Sequence, residues 1–167
     1  IPREISAPAP DPSFAEPDLS ADQRIAADAM KALAAKGEFH VALLDGVTGS
    51  GKTEGYFEAV AGIIRGGRQV MILMPDIALT GQFLDRFAAR CGVRPTEWHL
   101  ELTPRTRARN WAAVASGAAQ VVVGARSALF LPYANLGLII VDEEHDQAYK
   151  QSDGAHYHAR DMAVVRA

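Results

Sequence analysis

The segment Gly46-Val47-Thr48-Gly49-Ser50-Gly51-Lys52-Thr53 constrains the fold of this chain more than any other stretch. Its three glycines mark a place where the backbone must turn tightly and approach other groups closely. Before it lies Phe39–Asp45, an apolar run of strand length. After it, Lys52–Arg65 reads as a helix closed by Gly66-Gly67. A strand that feeds a helix through a glycine-rich loop is the opening unit of a parallel α/β domain.

The same alternation runs through the rest of the chain. Ser20-Ala21-Asp22-Gln23 fits a capping box at the head of an alanine-rich helix that ends at Gly37. Gln69–Met74 is a short apolar run stopped by Pro75, and Leu79–Arg90 has apolar residues at helical spacing. Glu97–Leu100 reads as a short strand, and Pro104–Ser116 as a helix with proline in its first turn. Gln120–Gly124 and Gly137–Asp142 are two further apolar runs, and Ala159–Ala167 is helical without a cap or breaker. Continuous apolar runs between helices predict a mainly parallel sheet covered on both faces, a three-layer α/β domain.

Composition narrows the function classes only slightly. Hydrophobic residues make up 49% of the 167, and the formal net charge is −3, so neither disorder nor a strongly basic surface is indicated. The single cysteine, Cys91, rules out an internal disulfide framework or a multi-cysteine zinc site within these residues and reads as a buried small hydrophobe. No apolar run nears the roughly 18 residues that span a bilayer, and a cytoplasmic setting without membrane partners is expected. Five of the nine prolines (Pro2, Pro8, Pro10, Pro12, Pro17) fall in the first 17 residues, so residues 1–18 read as an extended linker. With Ile1 at the start and an uncapped helix at the finish, both ends are expected to be cut from a longer protein.

Chemistry enters with the GxxxxGKT spacing. Backbone N–H groups of such a loop, with the helix N-terminus behind them, face the phosphates of a nucleotide. Gly46, Val47, Thr48, Gly49, Ser50 and Gly51 would wrap ATP, Lys52 would reach its β- and γ-phosphates, and Thr53 would ligate Mg²⁺. The second signal is Leu138–His145, an apolar strand that ends in Asp142-Glu143-Glu144-His145. Asp142 would hold Mg²⁺ opposite Thr53, and Glu143 would serve as general base toward water. Three acids after a strand can also be a solvated turn; their pairing with the glycine loop favours a hydrolytic site.

Together, Asp142-Glu143-Glu144-His145 and Gly46–Glu54 resemble the superfamily-two DNA helicases, and within them the primosomal protein N′ (PriA) family. Met74–Thr80 is similar to that family's motif Ia and Gly124–Phe130 to its motif Ib. Tyr149-Lys150-Gln151 and Tyr157–Asp161 are similar to its aromatic-rich loop and the helix that follows. The resemblance covers residues 19–167 and implies a first RecA-like lobe, truncated at its C-terminal end. Asp76, Gly81 and Ala125, with His99-Leu100, depart from the residues usual there.

The resemblance also implies roles. Gln23 matches a glutamine that recognises the adenine edge, although completing the capping box with Ser20 is an equal alternative. Thr80, Arg126 and Ser127 match segments that touch phosphates of single-stranded DNA; a helix N-cap and a loop arginine paired with an acid are the competing readings. Tyr149, Lys150 and Tyr157 lie in a loop that would stack on bases or relay DNA contact to the ATP site, or else simply pack a surface loop. His145 would link the acidic box to neighbouring motifs, or be a plain surface histidine. Arg105, Arg107 and Arg109 alternate along one helix and so do not share a face, which suits a solvated surface better than a DNA patch.

The function implied is the ATP-binding motor lobe of an ATP-dependent DNA helicase of the replication-restart primosome. In the intact enzyme it would couple ATP hydrolysis to movement on forked DNA, near the nucleoid, alongside single-stranded DNA-binding protein and other primosome proteins. Zinc is expected only in a cysteine cluster outside this chain, and an arginine finger in a second lobe, so the fragment alone is expected to be largely inactive. Two other readings stand beside it. One is a lobe of another P-loop DNA translocase, a recombination helicase or restriction subunit. The other is a nucleotide-dependent DNA-binding module that does not hydrolyse.

Overall fold

The computed structural model describes residues 6–46, 51–75, 81–151 and 157–167. Four strands, β1 (Gln69–Leu73), β2 (Thr96–Trp98), β3 (Val121–Gly124) and β4 (Leu136–Val141), form one sheet in the order β2-β3-β1-β4. Every pairing in it is parallel, with Val70 beside both Val121 and Leu138. Five helices flank it: α1 (Ala21–Ala35), α2 (Lys52–Arg65), α3 (Gly81–Cys91), α4 (Pro104–Ala115) and α5 (Ala159–Arg166). A 3-10 helix, Arg126–Phe130, follows β3, and a small antiparallel pair, β5 (Lys150–Gln151) and β6 (Tyr157–His158), precedes α5.

Alternation along β1 builds the three layers. Val70 and Ile72 face Phe57, Val60, Phe83 and Phe87 of α2 and α3, with Met30 and Ala34 of α1 packed behind. Met71 and Leu73 face the opposite way, onto Val114 of α4, Leu129, Tyr149 and Ala163 of α5. Every β1 residue is buried because successive side chains point to opposite faces and both faces are covered. Phe57, Phe83 and Phe87 meet edge to face at 5.5–5.8 Å, the preferred geometry for aromatic quadrupoles.

The helices begin where the sequence says they should. Ser20 accepts from Gln23 N while the Gln23 side chain returns the bond to Ser20 N, a complete capping box. Thr103 caps α4, whose first residue is Pro104, so the missing N–H is one that no helix needs there. Gln69 is the most deeply buried of the polar side chains among the described residues, and its amide is fully engaged. It donates to the Val114 and Ala119 carbonyls and accepts from Ala134 N and Asn135 N, tying β1 to the loops around α4 and β4.

One expectation changes. No strand is present at Phe39–Asp45: Phe39, Val41 and Leu43 are 56%, 66% and 79% exposed. Strand-forming side chains need a backbone ladder to complete, and no described strand lies beside this run. The proline-rich segment is irregular, as proline requires, yet it is strapped to the domain. Asp11 N donates to Cys91 O at 2.9 Å, and the Pro12 carbonyl accepts from both Arg65 and Arg90 at 3.0 Å. Arg90 is itself buried and paired with Glu58 at 2.6 Å, so the strap finishes the solvation of an interior guanidinium.

Candidate nucleotide site and nucleic-acid interface

Gly51, Lys52, Thr53, Glu54, Arg86, Asp142 and Glu143 line one pocket of about 370 Å³. Two elements bring them there. Helix α2 starts at Lys52, directly after Gly51, whose φ of +77° is accessible to glycine at little cost. A Cβ at Gly51 would also meet the Gln23 amide nitrogen at 2.0 Å, so the Gln23 side chain would have to move to admit one. The second element is β4, which ends at Val141 and delivers Asp142 and Glu143 at its carboxyl end, where open α/β sheets bind ligands.

Lys52 Nζ donates to the Gly46 carbonyl at 2.6 Å, setting the ammonium at the mouth of the loop. Across the pocket the Asp142 carboxylate is held at both oxygens: Oδ2 accepts from the Tyr56 hydroxyl at 2.9 Å, and Oδ1 accepts from Glu143 N at 3.0 Å. Burial first, and then the neighbouring Asp142 charge, hold the Tyr56 phenol well above the usual tyrosine range, so it is a neutral donor. Glu143 has φ +50°, the one non-glycine residue among those described in the left-handed region. Such a backbone is sparsely populated by L-residues and here turns the Glu143 side chain into the pocket after the strand ends.

The three acids have separate surroundings. Asp142 faces Tyr56, Glu143 lies 3.5 Å from His145 Nε2, and Glu144 pairs with Arg160 of α5 at 2.9 Å. Glu54 and Arg86 form an ion pair on the pocket wall. A hydroxyl, a carboxylate and an ammonium around one cavity suit a triphosphate with Mg²⁺, which takes one or two protein ligands and completes its shell from phosphate and water. Among the described residues no cluster of three or more His, Cys, Asp or Glu could hold a metal alone.

Of the residues expected at DNA, those described follow β3 or lie on β5 and β6 and the turn before them. Arg126 opens the 3-10 helix after β3, with Ser127 next to it, and its Nη1 donates to the Lys150 carbonyl at 2.7 Å. Tyr157 sits on β6, across from Gln151. Tyr149 needs a correction. Its ring is fully buried and its hydroxyl lies within hydrogen-bond reach of the carbonyls of Leu73, at 3.0 Å, and of Asp142. A base cannot stack on it; what it touches is the backbone of the acidic box. Arg107 lies 5.1 Å over the Trp98 ring, a packed position rather than a free cation. Val47–Ser50, Thr80 with the segment from Asp76, and residues 152–156 of the aromatic loop lie outside the described residues.

Sequence reasoning missed Tyr56, Glu54 and Arg86. Tyr56 was within reach of it, since it follows Lys52 by four residues and so shares its helical face. Arg86 carried no local signal, because only the packing of α3 against α2 brings it to Glu54.

A family model for DEAD/DEAH box helicases matches residues 23–166. The chain belongs to the DEAD/DEAH box helicase family. This helicase chain is also similar to proteins named replication restart protein PriA. It is 45% identical to that of Rickettsia felis over 154 residues, 92% of this chain and 23% of the relative. Against the Haemophilus influenzae protein the identity is 46%, over 90% of this chain and 21% of the relative. For Bacillus subtilis it is 40%, over 89% and 18%. The helicase chain thus spans about a fifth of the length of these curated relatives. Among the described residues no helix is long and apolar enough to cross a membrane.

Proposed function

We propose that this chain is the first, ATP-binding RecA-like lobe of a replication-restart helicase of the PriA type. The observation that carries the proposal is the single pocket in which Lys52 and Thr53 of α2 face Asp142 and Glu143 of the β4 terminus. Similarity to PriA proteins along most of the chain supplies the biological setting.

In this reading the glycine loop from Gly46 to Gly51 wraps the triphosphate and Lys52 offsets charge on its β- and γ-phosphates. Thr53 and Asp142 would hold Mg²⁺, which would supply positive charge to offset that developing on the phosphates. Glu143 accepts the proton of the attacking water as its oxygen bonds to the γ-phosphorus and the bond to ADP breaks. Gln23 reads the adenine edge as well as capping α1. Thr80, Arg126, Ser127 and Lys150 contact DNA phosphates, while Tyr149 and His145 couple those contacts to the acidic box. The residues Ile1–Asp18 form a connecting segment and residues 19–167 the lobe.

The whole protein would move on and unwind forked DNA, acting in the cytoplasm at the nucleoid with single-stranded DNA-binding protein and other primosome proteins. Because an arginine finger contributes about 10³–10⁵-fold in P-loop enzymes, this lobe alone hydrolyses ATP slowly and separates no strands. Calorimetric titration of the chain with Mg²⁺-ATP tests the site: binding is expected, and Lys52→Ala should abolish it. In the longer protein Glu143→Gln should retain nucleotide binding and lose turnover; full turnover in that variant would overturn the hydrolytic reading.

A further inference from the structure

Two ion pairs join α2 to α3. Glu58 of α2 pairs with Arg90 of α3, and Glu54 of α2 pairs with Arg86 of α3. Four-residue spacing puts Glu54 and Glu58 on one face of α2, and Arg86 and Arg90 on one face of α3. The pairs are therefore successive rungs between the same two helix faces.

The rungs differ in their surroundings. The Arg90 and Glu58 side chains are only 8% and 13% exposed. Arg90 reaches Glu58 Oε1 through Nε at 3.1 Å and Nη2 at 2.6 Å, and its Nη1 donates to the Pro12 carbonyl. Breaking a buried pair strands a charge, so this rung is permanent and holds the helices in register. Arg86 and Glu54 are 42% and 35% exposed, and Arg86 engages Glu54 through Nη2. An ion pair this open to solvent contributes little to stability, and a guanidinium carries five donors. The outer rung can change partner while the inner rung keeps the packing.

The outer rung is also the one that meets the nucleotide pocket. Arg86 and Glu54 line it beside Lys52, Thr53, Asp142 and Glu143, and Lys52 and Arg86 are the cations of that lining. Glu54 Oε2 lies 3.5 Å from the point where a Cβ on Gly51 would stand, so its carboxylate borders the end of the glycine loop. Burial first, and then the Asp142 charge, raise the Tyr56 phenol, while Thr53 and the Arg86 charge act the other way. Arg86 is thus within electrostatic range of the Tyr56–Asp142 side as well. With a triphosphate between these walls, Glu54 would face like charge, and Arg86 would find phosphate oxygens that its planar fork matches. Both effects drive the same exchange.

We propose that Arg86 leaves Glu54 to bind the terminal phosphate of the nucleotide, and so makes this pocket prefer ATP to ADP. This rests on the ATP-site reading above and adds to it a cation supplied by α3 of the same chain. The terminal phosphate is the one addressed because Arg86 shares the pocket with Asp142 and Glu143, which in that reading serve the hydrolytic end.

The test is calorimetric titration of the chain with Mg²⁺ and either ADP or the β,γ-imido analogue of ATP, which reads affinity without turnover. Arg86→Ala should weaken the ATP analogue about tenfold, the loss of one charge-assisted hydrogen bond, and leave ADP within about twofold. Arg86→Lys should recover part of that affinity, since it keeps the charge without the fork. Glu54→Gln should tighten the analogue more in the parent than beside Arg86→Ala, because part of its effect is to release the guanidinium. Arg94→Ala, which removes an exposed cation paired with Asp85, should change neither nucleotide. The ratio of the two affinities decides, because a merely structural defect lowers both alike. Equal losses for the two nucleotides in Arg86→Ala, or no loss for either, would overturn the role of Arg86 and leave the ATP-site reading standing. Absence of nucleotide binding by the unsubstituted chain would overturn both.

Discussion

The hydroxyl of Tyr56 donates to Asp142 Oδ2 at 2.9 Å, joining the helix that starts at the glycine loop to the strand that carries the acidic box. These residues are 86 positions apart, and the bond sets how the carboxylate faces Thr53 across the pocket. Because burial and the Asp142 charge keep the phenol protonated, the donor is present throughout the physiological pH range. Tyr56→Phe should therefore leave the fold intact but remove one of the two hydrogen bonds that orient the carboxylate, leaving Oδ1 on Glu143 N. A hydrogen bond to a charged group contributes about 1.5–3 kcal/mol, so the Mg²⁺ concentration needed for half-maximal nucleotide binding should rise about tenfold. A Mg²⁺ titration that superimposes on that of the unsubstituted protein would show that Asp142 is positioned by other means.

Gln23 separates two roles that the sequence left level. Its carbonyl oxygen accepts from Ser20 N at 2.9 Å, while its amide nitrogen end abuts Gly51. Glutamate at this position keeps the capping box, since an acceptor is all the cap uses, but removes the amide donor beside the loop. Gln23→Glu is expected to melt within a degree or two of the unsubstituted protein and to bind ATP at least fivefold more weakly. Equal affinity for ATP in calorimetry would assign Gln23 to the cap alone.

Gln69 is the point where β1 is fastened to both halves of the second layer. With four backbone partners on one amide, Gln69→Leu removes the buried donor to the Val114 and Ala119 carbonyls and the acceptor of the Ala134 and Asn135 N–H groups. Each unsatisfied buried group costs about 1–3 kcal/mol, part of which relaxation recovers. Urea unfolding should show a loss on the order of 3 kcal/mol with an unchanged m-value. A loss under about 1 kcal/mol would mean that the loop carbonyls find other donors.

Cys91 gives the fold an alkaline limit. Its thiol is fully buried, and burial pushes its pKa up from 9.0 to about 11. The unfolded chain binds the thiol proton less tightly than the folded one, so this contribution to stability is whole below pH 9 and is lost as pH rises from 9 to 11. Melting temperature measured across that interval should fall, and more steeply for the parent than for Cys91→Ala, compared as slopes. Identical slopes would remove Cys91 as a contributor.

How much of this was legible beforehand depends on the range of the interactions concerned. Helices α1, α2 and α4 were readable to within a residue or two, because caps such as Ser20 and Thr103 and breakers such as Gly66 act over three or four positions. Strands β1, β3 and β4 were readable as apolar runs: β1 and β3 are buried on both faces, and half-buried β4 is apolar along its length. Phe39–Asp45 carries the same signal and is not a strand, because propensity does not supply a hydrogen-bonded neighbour. Lys52, Thr53, Asp142 and Glu143, which the structure brings to one pocket, were legible because each pair stands in consecutive residues of a short motif.

The sequence by itself determined the layered α/β class and the two halves of the pocket between α2 and β4, for both rest on local spacing. Only the tertiary structure decided which side chains serve that pocket from outside its motifs. Tyr56 reaches Asp142, Arg86 pairs with Glu54, Arg160 takes Glu144, and Tyr149 is buried beneath the acidic box instead of facing solvent. It also decided that the proline-rich start lies against Arg65 and Arg90, and that Arg166 grips the chain on both sides of Phe130. Each is a contact between residues far apart along the chain, and its energy depends on how helices and strands dock, which no local pattern records.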